Sequence, residues 1–239
     1  MQTSPWENAR FAEESLARMD EKFLPATEAQ VDWLMGKMNL CPGGALLDLG
    51  CGAGRHAIAF ARRGLRVTGV DISGTMLRHA KERAGAAGVE VNFIRADLAR
   101  LGELSLDAFQ GAVCLCESGL GVLGGGGKDF AFLRQAHAPL EPGASFAITC
   151  FNALRRYIRS QDQNPRFDYL NGTMAWSCEM DGAQLRERQR QYTPSEMKLL
   201  LTLSGFEDVE VLSCAEGFFS DAPMGIEDIE MLVCARRCP

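Results

Sequence analysis

The 239-residue chain, 46% hydrophobic, is long enough to bury one sizeable core. Its 25 basic and 31 acidic residues leave a net charge of −6 with no long basic run, so it exerts no long-range pull on a polyanion and nucleic acid is disfavoured as a partner. Its nine cysteines are odd in number and lack C-x-x-C or Cys/His zinc spacing, while the polar start MQTSPWENARFAEES and the lack of an apolar run of ~20 residues argue against a signal peptide and a membrane span; a soluble chain in a reducing cytoplasm, without metal, is expected.

Residues 1–40 read as a helical cap. Trp6, Phe11, Leu16, Met19, Phe23, Val31, Trp33, Leu34 and Met38 recur at helical spacing on at least two short amphipathic segments split by Pro25. The turn Cys41-Pro42-Gly43-Gly44 delivers the chain into an apolar strand, Ala45 to Leu49. That strand breaks into Gly50, Gly52 and Gly54, then into a helix-forming run from Arg55 to Arg63 stopped by Gly64. Strand, glycine turn and helix N-terminus together make a nucleotide-binding turn, because residues without Cβ adopt positive φ and let backbone N–H groups approach a ligand. The spacing is G-x-G-x-G, shorter than the G-x-G-x-x-G of a dinucleotide site, whose third glycine allows close helix packing beside a pyrophosphate. Asp48, just ahead of the turn, repels a pyrophosphate and favours a cation. His56, in the first helical turn, either faces the ligand or hydrogen-bonds locally.

Arg66 to Val70 form a second strand, and Asp71 at its carboxyl end is placed to accept both hydroxyls of a ribose. Ser73 caps a helix from Gly74 to Ala86, with Ile72 and Met76 either against an adenine or in the core. A ligand that is cationic at one end, carries a ribose and lacks phosphates satisfies Asp48 and Asp71 together; S-adenosyl-L-methionine is such a molecule. A third strand, VEVNFI, ends at Ala96-Asp97-Leu98, and a fourth, from Phe109, ends near Cys116-Glu117. Ligands of open parallel sheets lie outside the carboxyl ends of the strands, near the reversal of strand order. The backbone of Cys116 therefore passes beside the cofactor, and Glu117 or Ser118 touches its methionine end or the acceptor. Gly124 to Gly127 read as a loop leading to a helix from Asp129 to Leu140, since Lys128 follows without the Ser or Thr of a phosphate cradle. Gly143 to Cys150 make the fifth strand.

Through LLDLGCGAG, VTGVDIS, the acid of IRADL and the strand AVCLCES, met in that order, the chain from about Cys41 onward resembles the class I S-adenosylmethionine-dependent methyltransferases. The resemblance implies an α/β fold with a Rossmann-like, doubly wound, mostly parallel seven-stranded sheet closed by an antiparallel C-terminal hairpin strand. It implies S-adenosyl-L-methionine as cofactor and S-adenosyl-L-homocysteine as its product. The cofactor-binding residues expected are Asp48, Gly50, Cys51, Gly52, Gly54, Asp71, Ile72, Met76, Asp97, Leu98, Cys116 and Glu117. Among these, Asp97 would accept from the adenine amino group while the next backbone N–H, that of Leu98, donates to the ring. Helices ahead of the first strand would cover the cofactor or wall the acceptor pocket.

Within the domain at 41–239, the pattern changes from Phe151 onward. Asn171-Gly172 and Asp181-Gly182 are hairpin signals, so 151–192 reads as a small antiparallel sheet inserted after the fifth strand, a substrate lid, a dimer contact or both. Arg155, Tyr157, Tyr169, Trp176 and Tyr192 are its candidate acceptor contacts. The clusters Arg155, Arg156, Arg159, Arg166 and Arg186, Arg188, Arg190 read as solvated faces. Thr193, Pro194 and Glu196 form a capping box that starts a helix ending at Gly205. Phe206 to Leu212 and Glu230 to Ala235 are the last two strands, with a loop between them that carries Phe218, Phe219 and Met224 toward the acceptor.

A sulfonium methyl is already electrophilic, so the protein must align a nucleophile with it and exclude water, without a covalent catalyst. Glu117, His56, His137 and Tyr192 are the eligible bases, and the sequence singles out none. Cys116-Glu117-Ser118-Gly119 stands where some amino-methyltransferases carry an N-P-P-Y-like tetrapeptide that grips planar amines, which argues against those enzymes. The expected activity is methyl transfer to a small-molecule acceptor by a monomer or homodimer. The alternatives are an NAD(P)-binding oxidoreductase, disfavoured by the short turn and Asp48, and a non-catalytic S-adenosylmethionine-binding protein.

Overall fold

A computed structural model describes residues 4–116, 119–123, 126–158, 167–215 and 217–238. In chain order the elements are α1 (Ala9–Phe23), α2 (Thr27–Lys37), β1 (Ala45–Leu49), α3 (Arg55–Arg62), β2 (Arg66–Asp71), α4 (Gly74–Ala87), β3 (Val91–Arg95), β4 (Phe109–Cys114), α5 (Gly126–His137), β5 (Leu140–Phe151), α6 (Ala153–Ile158), β6 (Phe167–Asp168), β7 (Thr173–Met180), β8 (Ala183–Arg190), α7 (Pro194–Leu203), β9 (Phe206–Ala215), β10 (Phe218–Pro223) and β11 (Glu230–Arg237).

The main sheet runs β10-β9-β11-β5-β4-β1-β2-β3. β1 sits inside it with parallel partners on both edges, β2 on one and β4 on the other. A strand paired on both edges and covered on both faces reads as an apolar run, here Ala45, Leu46, Leu47 and Leu49, with Asp48 the exception. Strand order reverses between β1 and β4, so the crevice beyond their carboxyl ends is open to a ligand. β11 runs antiparallel between β5 and β9. The seven expected strands are present, and an eighth extends the edge: β10 pairs antiparallel with β9 where the sequence suggested only a loop. Its alternation is short and ends in Pro223, a residue tolerated at sheet edges.

Helices cover both faces. Phe132, Leu133, Met197 and Leu201 of α5 and α7 pack on Leu47, Leu49, Phe146 and Ile148. Val31, Leu34, Ala57 and Phe60 of α2 and α3 pack on Leu46, Val113 and Ala147 from the opposite side, the alternation expected of pleated strands. α1 makes a third, smaller cluster in which Ala12 and Leu16 meet Ala53 and Met76. An ion pair from Glu13 to Arg78 (2.6 Å) and a hydrogen bond between Glu13 and His79 (2.8 Å) on α4 hold it there. Helix α5 begins three residues earlier than Asp129 and β5 takes over at Leu140. The expected extension of the helix to Leu140 is thus lost to the strand, which pairs with Phe109 from that residue on.

The insertion forms a separate sheet ordered β6-β7-β8. Asp181 and Gly182 take φ of 52° and 73° in its two-residue turn, the conformation that makes Asp-Gly a hairpin signal. Its root is bonded tightly to the main sheet. The Tyr192 N–H donates to Phe151 O (3.0 Å), the Ala153 N–H to Tyr192 O (2.9 Å) and the Arg190 N–H to Gly121 O (2.9 Å). Gly121 has φ of 91°, and a Cβ there would collide with the Arg190 carbonyl. Beneath, the Tyr192 hydroxyl donates to Asp129 Oδ2 (2.5 Å) while the Gly121 N–H donates to Oδ1 (3.1 Å). Tyr192→Phe strips one donor from a fully buried carboxyl, and is expected to cost about 1–3 kcal/mol in urea unfolding with an unchanged m-value.

Candidate active site

The turn after β1 is bonded back onto β2, with the Gly50 and Cys51 N–H groups both donating to Val70 O (2.8 and 3.0 Å). Gly50, Gly52 and Gly54 take φ of 73°, 53° and 79°, a region that costs other residues roughly 1–2 kcal/mol. Their reasons differ. A Cβ on Gly54 would meet the Ala80 Cβ at 3.0 Å and the Phe93 ring at 3.1 Å, so this glycine lets α3 pack on α4; a Cβ on Gly52 would meet nothing within 4 Å, so this one borders open space.

Asp71 ends β2 beside that space. Its carboxylate accepts from the Gly52 N–H through Oδ2 (2.8 Å) and from the Ser73 N–H through Oδ1 (2.8 Å), which locks the turn against the start of α4. Burial raises its pKa, with those backbone donors opposing the rise. Ile72 is half-buried, whereas Met76 is buried against α1, 2% exposed. Asp97 caps a short 3-10 helix from Leu98 to Glu103, its Oδ1 accepting from the Ala99 N–H at 2.9 Å.

Asp48 is 2% exposed, and its Oδ2 has no hydrogen-bond partner among the described residues. Desolvation raises its pKa to about 7, against the nearby Arg55 charge and the Ala57 N–H. Arg55 spans the site: Nη1 donates to Thr27 Oγ1 (2.8 Å) and Gln30 Oε1 (3.0 Å) on α2, and Nη2 to Cys116 Sγ. Cys116 holds a positive φ of 59°, its N–H donating to Thr149 Oγ1 at 2.7 Å. Such strain in a non-glycine residue at a strand end marks functional sites. His56 bonds Gln30 Oε1 (2.8 Å), and burial pushes its pKa well below the usual value; of its two sequence readings, local bonding is the one the structure displays. Glu117, with Ser118, Gly124, Gly125, Arg159 and Arg166, lies outside the described residues.

The acceptor candidates separate. Tyr192 is buried on Asp129 in the scaffold. Tyr157 and Tyr169 cluster with Phe167 at the base of the insertion. Arg155 turns to Glu227 O (3.1 Å). Phe219 packs on Trp33 at 5.9 Å and Phe218 is exposed at the sheet edge, so β10 carries both away from the insertion. His137 packs edge-on against Phe206 at 5.0 Å, at the amino end of β5. Only Trp176 faces α1, its ring stacked on Phe11 at 5.4 Å. The sequence reading missed Arg55, which looks like an ordinary helix-surface arginine, and Glu187, hidden in the polar run QLRERQR; cross-strand pairing with Trp176 reveals the latter.

Residues 46–143, which hold the glycine turn, Asp71, Asp97 and Cys116, match a family model described as a methyltransferase domain. The chain has a Rossmann-like methyltransferase fold. It resembles, in fold, the CcbJ methyltransferase from Streptomyces caelestis, with a TM-score of 0.70, 21% identity, and coverage of 89% of this chain and 90% of that one. It also resembles magnesium protoporphyrin IX methyltransferase from Synechocystis, solved with bound S-adenosyl-L-homocysteine, at a TM-score of 0.61 and 19% identity over 90% of this chain and 83% of that one. In sequence, 202 residues are 30% identical to the S-adenosyl-L-methionine-dependent Diels-Alderase iccD of Talaromyces variabilis, covering 83% of this chain and 61% of that protein. The chain thus spans about three fifths of that relative's length. No described helix is long and apolar enough to cross a membrane.

The last two glycines of the turn separate stability from binding. Gly54→Ala is expected to lower the melting temperature by several degrees because it drives a methyl group into Ala80 and Phe93. Gly52→Ala is expected to show the smaller stability loss and the larger loss of S-adenosyl-L-homocysteine affinity, as read by thermal melting and calorimetry on both variants.

Proposed function

We propose that the chain binds S-adenosyl-L-methionine across the carboxyl ends of β1, β2 and β4 and transfers its methyl group to a small-molecule acceptor by direct in-line displacement. The observation that carries this is Asp48: a buried carboxyl with one oxygen lacking a partner among the described residues, next to a glycine turn that faces open space. A buried carboxyl left short of partners suits a cationic ligand. When bound, the cofactor supplies an electrophilic methyl group on a sulfonium.

The chain's residues do the rest. Gly50, Cys51, Gly52 and Gly54 bring backbone to the ligand without side-chain obstruction. Asp48 offsets the positive charge at the methionine end, with Arg55 holding the Cys116 side chain and α2 in register beside it. Asp71 accepts the ribose hydroxyls with lone pairs that Gly52 and Ser73 leave over, and Ile72 lies along the adenine. Met76 supports that face from the core. Asp97 and the Leu98 N–H read the adenine edge, and Cys116 with Glu117 closes the methionine end. The cap at 1–40 and the insertion at 151–192 exclude water, a condition for positioning to accelerate the transfer. The nine free thiols support a reducing, cytoplasmic setting.

The Diels-Alderase relative favours a second reading, in which the cofactor is bound but its methyl group is retained. Incubation with methyl-labelled cofactor and a panel of small amines, alcohols, thiols and acids separates the two. Label in an acceptor together with released S-adenosyl-L-homocysteine establishes transfer; tight binding with no label in any acceptor favours the second reading.

Asp71→Ala is expected to abolish calorimetric binding of S-adenosyl-L-methionine, and unchanged affinity would remove the basis of the site. A second expectation follows from Asp48. A bound cation stabilises its ionised form, so a proton leaves on binding below the carboxyl's pKa near 7, and affinity rises with pH. Between pH 6 and 8 the dissociation constant should fall by about an order of magnitude, and the Asp48→Asn variant should lack that part of the slope.

A further inference from the structure

The inner face of the inserted sheet carries a carboxylate that cofactor binding leaves unused. Glu187 pairs across the strands with Trp176, and the Trp176 indole N–H donates to Glu187 Oε2 at 3.1 Å. The Trp176 ring stacks on Phe11 of α1, and Trp6 meets Phe11 edge-on at 5.0 Å. The carboxyl is half-buried beside this aromatic wall. Desolvation raises its pKa to about 7, with the indole the one opposing cause.

The surrounding charges are turned elsewhere. Arg186 and Arg188 alternate with Glu187 onto the other face of β8. Arg190 pairs with Glu196 (2.8 Å), and Arg10 of α1 is held by Glu14 (2.9 Å) and Asp181 (3.3 Å). Among the described residues no ion pair forms with Glu187. A buried carboxylate without a cation needs one or stays protonated. Helix α1 links this face to the cofactor turn: Phe11 stacks on Trp176, while the next residue, Ala12, shares a cluster with Ala53 and Met76. The insertion's root is bonded to Gly121, in the segment after β4, and to Phe151, at the end of β5.

We propose that this aromatic-walled carboxylate is the acceptor site and that the acceptor is a small organic amine, its ammonium head on Glu187 and its apolar body against Trp176, Phe11 and Trp6. The inference rests on the proposed methyl transfer and names its substrate class. In the reaction the ammonium gives one proton to Glu187 Oε1, and the freed nitrogen lone pair forms the new bond to the methyl carbon. The electron pair of the carbon–sulfur bond leaves with sulfur, and the product is an N-methylammonium ion beside a neutral thioether.

The test uses the full chain saturated with S-adenosyl-L-homocysteine, titrated with phenethylamine, its neutral counterpart 2-phenylethanol and its anionic counterpart phenylacetate, and followed by tryptophan fluorescence. The amine should bind about tenfold or more tightly than the alcohol. Glu187→Gln should shrink that preference to about twofold or less, Glu187→Asp should retain part of it, and neither should change S-adenosyl-L-homocysteine affinity, which also shows that both variants fold. Equal binding of amine and alcohol, a preference for phenylacetate, or an amine preference that survives in Glu187→Gln overturns the acceptor assignment and leaves the cofactor reading standing. Failure of the wild-type chain to bind S-adenosyl-L-homocysteine overturns the cofactor reading, and the acceptor assignment falls with it.

Discussion

Asp48 is the penultimate residue of the central strand, which has paired strands on both edges, so its carboxyl is cut off from water at the place where the strand order reverses. Arg55, the first residue of α3, supplies the nearby positive charge while its guanidinium donates to Thr27, Gln30 and Cys116. The arginine therefore joins three separate segments around one acidic group. Its bonds to α2 and the loop after β4 fix their distance from the glycine turn. Gln30 extends the arrangement: its carbonyl serves Arg55 and His56, and its amide donates to Gly217 O at 2.5 Å. One side chain on α2 thereby spans from the ligand turn to the start of β10.

A second level of order lies above the sheet. α1 is pinned to α4 by Glu13 with Arg78 and His79 and by Asp20 with Arg83, pairs that are exposed or half-buried and individually worth little. Its apolar face joins the glycine turn to the inserted sheet, with Ala12 and Leu16 on the turn side and Phe11 on the sheet. A helix held by weak exposed pairs and a modest apolar patch opens at lower cost than the sheet beneath it.

Most of the fold is legible in the sequence because its strands obey period rules. Central strands appear as apolar runs, the Asp181-Gly182 hairpin through its turn chemistry, and α7 through its capping box, whose Thr193 and Glu196 bonds are both formed. The parts that escaped lack local signal. β10 is a short edge strand without a buried face to impose strong alternation. Leu140 sits in a strand because Phe109 pairs with it, a long-range fact. The glycine turn and Asp71 were readable because backbone geometry demands particular residue types there. Met76 reads equally as a ligand contact or as core, and the α1 residues that pack on it lie far away in the chain. Glu187 gains its character from Trp176 across the hairpin and Phe11 from the far end of the chain, and no window of sequence contains all three.

The contact between Gly121 and Arg190 divides the molecule into what can change and what cannot. Backbone meets backbone there, at a positive φ with no room for a methyl group, and Tyr192 and Asp129 lock the same point from below. Amino-acid replacements at this junction carry a steric penalty that no neighbouring adjustment relieves. The arms of the hairpin beyond it touch the rest of the protein mainly through side chains. The insertion thus behaves as a cassette: its two ends are anchored to the main sheet, and its inward face can be rewritten without disturbing the glycine turn.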